Sequence, residues 1–229
     1  MFWLFLIKMA VNLNVALRIR DDIVSGTLPL GSRITIDALA SRYAVSHMPV
    51  REALRELQGE GLVVIEPNRG ARVRGIDTGF VENLFEIRTA LEVMMVRRAA
   101  QRATAGDIAR LQAIEDLLEA EIVRGNYAAV VSQNRAFHRE INRIADNVDA
   151  LPMLDRHWTL LAALWRNFGY GAERFAGVSN DHRHVIAAME ANDEEAASAI
   201  MGGHAAKAKR ELLARMATTV GAVELARSA

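Results

Sequence analysis

Residues 35–59, TIDALASRYAVSHMPVREALRELQG, decide the fold. Thr35 stands as an N-cap before IDALASRY, and Ser46 caps a second candidate, HMPVREALRELQGEG, which closes at Gly59 or Gly61. Pro49 falls in the first turn of that second helix, where its missing N–H costs little. Ahead of this pair, Leu13 to Gly26 sets Val15, Leu17, Ile19 and Ile23 at helical intervals, and the turn-rich TLPLGSRI joins the two parts. Helix, short helix, brief turn and helix make a helix-turn-helix. Behind it, LVVIEP and ARVRGI are β-branched runs separated by Pro67-Asn68-Arg69-Gly70, the turn chemistry of a hairpin. A helix-turn-helix followed by a hairpin is a winged helix, a module that binds DNA or serves as a structural unit.

After Gly75 the strand signals stop. Amphipathic helices are predicted near Phe80–Ala103, Ala105–Val123, Tyr127–Ile144, Ala150–Asn167, Asn180–Ala191 and Asp193–Met216, broken at Gly106-Asp107, Gly125-Asn126, Asp146-Asn147 and the GYGAERFAG loop. The predicted fold class is mainly α: an N-terminal winged helix-turn-helix with a small β-hairpin, then an all-α helical bundle. The division is expected near residue 77, with residues 1–77 as one domain and 78–229 as the other.

Composition narrows the chemistry. The chain has 229 residues, room for a small module and a larger one. It has no cysteine, so disulfides, thiolate zinc sites, iron–sulfur clusters and cysteine nucleophiles are excluded. Lys+Arg and Asp+Glu both total 28, so net charge gives no sign of nucleic-acid binding, and any basic surface is local. The opening MFWLFLI is too short to span a bilayer and wrongly flanked for a signal peptide, so a cytoplasmic, non-membrane protein is expected. The other readings of this run are an extension ahead of a start at Met9 and a membrane tether.

The stretch from Ala16 to Ile76 resembles the DNA-binding domain of the GntR family of bacterial transcription regulators, through SGTLPLGSRI, LASRYAVSHMPVREALRELQGEGLV and the wing PNRGARV. The resemblance implies that the N-terminus of the third helix enters the major groove. Ser46 and the residues after it then point into the groove, with His47 at a position that is normally a cationic base contact. Arg51 can fork to guanine O6 and N7 or clamp a phosphate, while Arg33, Arg69 and the Gly70 backbone lie on flanking phosphates or in the minor groove. For Arg42 and Arg55 a solvated helix face is the simpler reading. The sequence departs from the family at two places: His47 stands where Arg or Lys is usual, and Ala44 occupies a turn position that is commonly Gly. A positive φ at Ala44 would cost roughly 1 kcal/mol.

Residues 80–216 resemble the FCD effector-binding domain of the FadR branch of that family, through LFEIRTALEVMMVRRAA, NRAFHREI and DHRHVIAAMEANDEEAASAIMGGH. Many members hold a metal ion on an Asp and three His. The matching positions here are Asn134, His138, His182 and His204, with Asn in place of Asp. Spacing supports the set: Asn134 and His138 lie four apart on one helix, and His182 and His204 stand at nearly equal distance from the helix break at Asn192-Asp193. His184, at about 200° around the helix from His182, should point elsewhere. Three imidazoles suit Zn or Ni, with water or effector at open positions. The alternative is a metal-free pocket in which the histidines hydrogen-bond the effector or one another.

The resemblance further implies a small organic acid as effector. Arg88 is the candidate for its carboxylate, its alternative role being a salt bridge to Glu92 one turn on. Asn134 and Arg166 are further lining candidates, and Met94, Met95 and Trp165 read as core. The function so implied is a ligand-responsive transcription regulator, as a rule a repressor, acting as a homodimer on a pseudo-palindromic double-stranded operator. A metal-dependent hydrolase using the His cluster is the rival from another class. It lacks a Gly-x-Ser-x-Gly elbow, a His-Glu-x-x-His helix and a Gly-x-Gly-x-x-Gly loop, and leaves the winged helix without a role. A ligand-independent DNA-binding dimer is the third reading.

Overall fold

The computed structural model describes residues 15–66, 69–169 and 172–227. The opening apolar run and the Pro67-Asn68 turn lie outside the described residues. The chain forms two compact units. One contains the described residues up to Asp77 together with Thr159–Asn167; the other contains Thr78–Trp158 and the described residues from Phe168 onward.

In the first unit α1 (residues 15–24) buries Val15, Ala16, Ile19 and Ile23, and Gly26 at φ +79° turns the chain away. Leu17, expected on that stripe, is exposed. α2 (Ile36–Tyr43) begins at Thr35, whose hydroxyl accepts from Ala38 N at 3.2 Å. It ends at Ala44, which takes φ 55° and ψ 48°, the left-handed conformation that glycine adopts without cost. α3 (His47–Gly59) turns Val50, Ala53, Leu54 and Leu57 inward. Ser46 occupies its N-cap position without making the side-chain cap bond expected of it.

The hairpin pairs β2 (Val63–Glu66) with β3 (Gly70–Val73). A third strand, β1 (Arg33–Ile34), adds antiparallel to β3 from within the turn-rich segment. Two residues are too few to give a periodicity signal. Alternation on β3 sends Ala71 and Val73 into the core and Arg72 outward. Gly70 sits at φ +89°, and a Cβ there would lie 2.7 Å from Ile34 O, so both backbone conformation and strand approach demand glycine. Asp22 ties α1 to α2, accepting from Arg42 Nε and Tyr43 Oη, each at 2.7 Å. Arg42 therefore belongs to an intramolecular pair.

The second unit is helical: α4 (Thr78–Ala100), α5 (Ala105–Val123), α6 (Tyr127–Ala145), the first part of α7 (Ala150–Phe168), α8 (Ala172–Glu190) and α9 (Glu194–Arg227). Its core joins Met95, Val96, Leu111, Phe137, Ile141, Leu154, Val185 and Met201. α5 starts on a capping box, in which Thr104 Oγ1 accepts from Asp107 N and Asp107 accepts from Thr104 N. The predicted boundaries fit closely for α5 and α6. Two differ. α8 starts at Ala172, absorbing most of what reads as a loop, because Phe175 and Val178 pack against Leu118 and Val130. α9 continues past Met216 to Arg227. Met94, read as core, is 40% exposed, while Met95 and Trp165 are buried.

Candidate functional site

Two constellations carry the chemistry. The first is the exposed end of α3 and the wing. Ser46, His47, Arg51, Arg33 and Arg69 are all exposed, and Gly70 is half-buried. A groove between α3 and the wing is lined by Arg33, Asp37, His47, Arg51, Arg69 and Gly70 among others. Arg33 donates from Nε and Nη2 to Arg69 O at 3.1 and 2.9 Å, so part of its donor set braces the wing. Among the described residues neither Arg51 nor Arg69 is held by a carboxylate. His47 Nε2 lies 3.1 Å from Asp37 Oδ1 on α2, a contact that spacing did not reveal. Arg55 is exposed.

The second constellation is buried in the helical unit. α6 supplies His138, α8 supplies His182, and α9 supplies His204; Asn134, half-buried, lies one turn before His138 on α6. One ring nitrogen from each histidine lies within 4.8 Å of the others, and the ring centres are 5.1–5.6 Å apart. The break between α8 and α9, with Asn192 at φ 54°, folds the two helices into a hairpin that brings His182 and His204 level. His184 is exposed.

Behind each imidazole stands a carboxylate: Glu92 Oε1 at 3.1 Å from His138 Nδ1, Glu115 Oε2 at 2.7 Å from His182 Nδ1, and Asp181 Oδ2 at 3.4 Å from His204 Nδ1. A carboxylate at Nδ1 selects the tautomer that carries its proton there and leaves Nε2 as the lone-pair donor. His138 Nε2, His182 Nε2 and Asn134 Oδ1 are buried with no hydrogen-bond partner. Unsatisfied acceptors of this kind, gathered at three histidines, fit a borderline divalent ion.

The electrostatics follow burial. Burial pushes His182 well below the ordinary imidazole value and His204 down to about 3, Asp181 opposing the latter, so both rings are neutral and able to ligate. Burial likewise pushes Glu115 up to about 7. For Glu92 burial also favours the neutral acid, but the Arg88 guanidinium and the His138 imidazole outweigh it and hold the carboxyl well below its usual range. Asp181, with Lys207 Nζ at 2.6 Å, is held at about 2 against burial by its bonds to His204 and Lys207.

Arg88 is buried and donates from Nη2 to Glu92 Oε1 at 2.8 Å, with its guanidinium carbon 4.0 Å from the Trp158 ring centre. Its Nε is buried without a partner. Arg166 is exposed and lies in Thr159–Asn167, which clusters with the described residues up to Asp77. The sequence reading did not find Glu115, Asp181 or Trp158. Asp181 adjoins His182 in sequence yet serves His204, and the inward spacing of Leu111, Glu115 and Leu118 was the one signal for Glu115.

Comparison with known proteins bears on both constellations. Residues 12–73 match the family described as bacterial regulatory proteins, gntR family, and residues 83–207 match the FCD domain. The chain belongs to the GntR family. It is a DNA-binding transcription regulator with an FCD effector domain, and not an enzyme. This GntR regulator is 29% identical to the probable D-xylose utilization operon transcriptional repressor of Paenarthrobacter nicotinovorans, over 87% of this chain and 89% of that protein. It is 26% identical to the transcriptional regulator McbR of Escherichia coli K12, over 81% and 85% of the two chains. The solved structure of Escherichia coli McbR/YncC superposes with a TM-score of 0.76 at 21% identity, covering 90% of this chain and 98% of that one. A GntR regulator from Rhodococcus sp. RHA1 gives 0.72 at 21% identity, over 89% and 97%. At those identities the likeness is one of fold. No described helix is long and apolar enough to cross a membrane.

Proposed function

We infer that this GntR regulator reads its operator with the N-terminus of α3 and the wing, and senses a small carboxylate at the buried histidine site. Residues 1–77 carry the first role and residues 78–229 the second. On the DNA side Arg51 and His47 meet base edges, Ser46 and Arg69 meet backbone, and Arg33 holds the wing tip while presenting its remaining donor to a phosphate. The supporting observation is that Arg51 and Arg69 are exposed cations with no described acid partner beside a wing strand whose start requires Gly70. The regulator acts as a homodimeric repressor on paired half-sites.

On the sensing side, the observation that carries the reading is the set of orphaned buried acceptors, His138 Nε2, His182 Nε2 and Asn134 Oδ1. With His204 they would hold zinc or nickel. Such an ion supplies Lewis acidity toward a carboxylate oxygen. Arg88 Nε, a buried donor without a partner, and the Asn134 amide orient the acid. Occupancy changes operator affinity through a coupling of about 1–3 kcal/mol.

Elemental analysis of the purified protein beside His138→Ala tests the metal: stoichiometric zinc or nickel in the parent and its loss in the variant are expected, and negligible metal in both rejects it. Operator binding measured across a panel of small organic acids tests the sensing role. Binding indifferent to all of them would leave a ligand-independent DNA-binding dimer as the better reading.

A further inference from the structure

This inference rests on the metal reading of the histidine site and concerns the charge that such an ion meets. Three imidazole ligands and one carboxamide bring a divalent ion no negative charge. A buried charge without a counter-charge is costly, so the balance has to come from behind the ligands.

Three carboxylates stand there, and two are already committed to cations. Glu92 accepts from Arg88 Nη2 at 2.8 Å, and Asp181 accepts from Lys207 Nζ at 2.6 Å. Glu115 differs. It is fully buried on α5, one turn from the buried Leu111 and Leu118, and its Oε2 lies 2.7 Å from Nδ1 of the neutral His182 ring. The nearby guanidinium of Arg183 donates to Asp116 and Glu119 instead. Glu115 Oε1 has no hydrogen-bond partner. An ionised carboxylate so placed is costly unless positive charge arrives on the far side of the imidazole it touches.

We propose that Glu115 is the charge-compensating positioning residue of this site: it fixes His182 with Nε2 toward the ion and supplies, through that ring, the negative charge that Asn134 does not. A carboxylate hydrogen-bonded to a ligating imidazole also makes that imidazole the stronger donor.

The test uses the full chain stripped of metal, with Zn2+ affinity read by competition against a chromophoric chelator and the visible spectrum of bound Co2+ as a second readout. Glu115→Gln keeps the volume and removes the charge. It is expected to weaken Zn2+ binding roughly 10- to 100-fold, to alter the Co2+ spectrum and to leave the melting of the metal-free protein no lower. Adding Asn134→Asp to that variant is expected to restore affinity by placing a carboxylate on the ion directly. Equal Zn2+ affinity in parent and Glu115→Gln overturns the role of Glu115 while the metal reading stands. Weakened affinity that Asn134→Asp does not restore, with lowered melting of the metal-free protein, overturns it in favour of packing. A parent that takes up no stoichiometric Zn2+ overturns both. Should Glu115→Gln fail to fold, Glu115→Asp, which keeps the charge but withdraws it from the ring, carries the same comparison: weaker binding supports the role and unchanged binding overturns it.

Discussion

Arg88 and Glu92, one turn apart on α4, form a buried ion pair at 2.8 Å whose carboxylate oxygen also faces His138 Nδ1 at 3.1 Å. The arginine thus acts on the histidine site through the glutamate. Its guanidinium lies over Trp158, which in turn tilts against His138 at 4.9 Å between ring centres. Of the two roles that the sequence allowed for Arg88, the salt bridge to Glu92 is made, and Nε is buried without a partner.

Removing one partner of this pair leaves the other charge uncompensated in the bundle. Arg88→Met is expected to destabilise the protein by about 3–5 kcal/mol, and the double variant Arg88→Met/Glu92→Leu by markedly less, because a buried pair replaced whole by apolar side chains is often nearly neutral. Urea unfolding of the two variants beside the parent measures the difference. A double variant as unstable as the single one would mean that Glu92 earns its place through His138 rather than through Arg88.

Arg51→Ala is expected to reduce operator affinity by about 1–3 kcal/mol and to flatten discrimination at one base position, if the side chain forks to guanine. A phosphate contact predicts a uniform loss over all sequences and a salt slope smaller by about 1. Fluorescence anisotropy against single-base operator variants at several salt concentrations separates the two. No change in either affinity or slope would remove α3 from the interface.

Gly70→Ala drives a Cβ toward Ile34 O and forces an L-residue into a positive-φ backbone. Stability should fall by more than about 1 kcal/mol, the usual cost of the left-handed conformation alone, because the strand contact adds to it. DNA affinity should fall with it as the wing shifts away from Arg33. Thermal unfolding and operator titration of one preparation check both; a variant as stable as the parent would show that β1 yields easily.

Acid should unfold the helical unit partly through Asp107. Its bonds to Thr104, then the approach of Arg143 and Arg110, hold its carboxyl below the ordinary range. A depressed carboxylate stabilises the folded state fully above its unfolded value of about 3.9, and that stabilisation is lost as pH falls below it toward the folded value. Thr104→Ala removes the cap and half of the box, at about 1 kcal/mol near neutral pH. The gap between variant and parent should narrow below pH ~4. Unfolding midpoints across a pH series test this, and a gap independent of pH would assign the loss to the threonine hydroxyl alone.

How much of this was legible beforehand depends on the range of the interaction involved. Thr35, the hairpin runs and the four-residue interval from Asn134 to His138 are local patterns, and each predicted its element closely. Ser46 failed as a cap although its position was right, since composition gives the preference for a cap but not whether the hydroxyl turns inward. β1 and the N-terminal half of α8 escaped because two-residue pairing and packing against Leu118 are contacts between distant segments. Helical phase puts Arg166 on a face but does not reveal that Thr159–Asn167 clusters with the residues up to Asp77.

The sequence by itself determined the winged helix, the succession of amphipathic helices and the three histidines at matching positions, because periodicity, caps and turn chemistry act within a few residues along the chain. Only the tertiary structure decided that Glu92, Glu115 and Asp181 each stand behind one of those histidines, that Arg88 is shared between Glu92 and the ring of Trp158, and that Gly70 lies against Ile34. Those contacts join residues on different elements, where burial and helix packing set the distances; burial keeps the His182 and His204 rings neutral, and the carboxylate at each Nδ1 sets the donor direction.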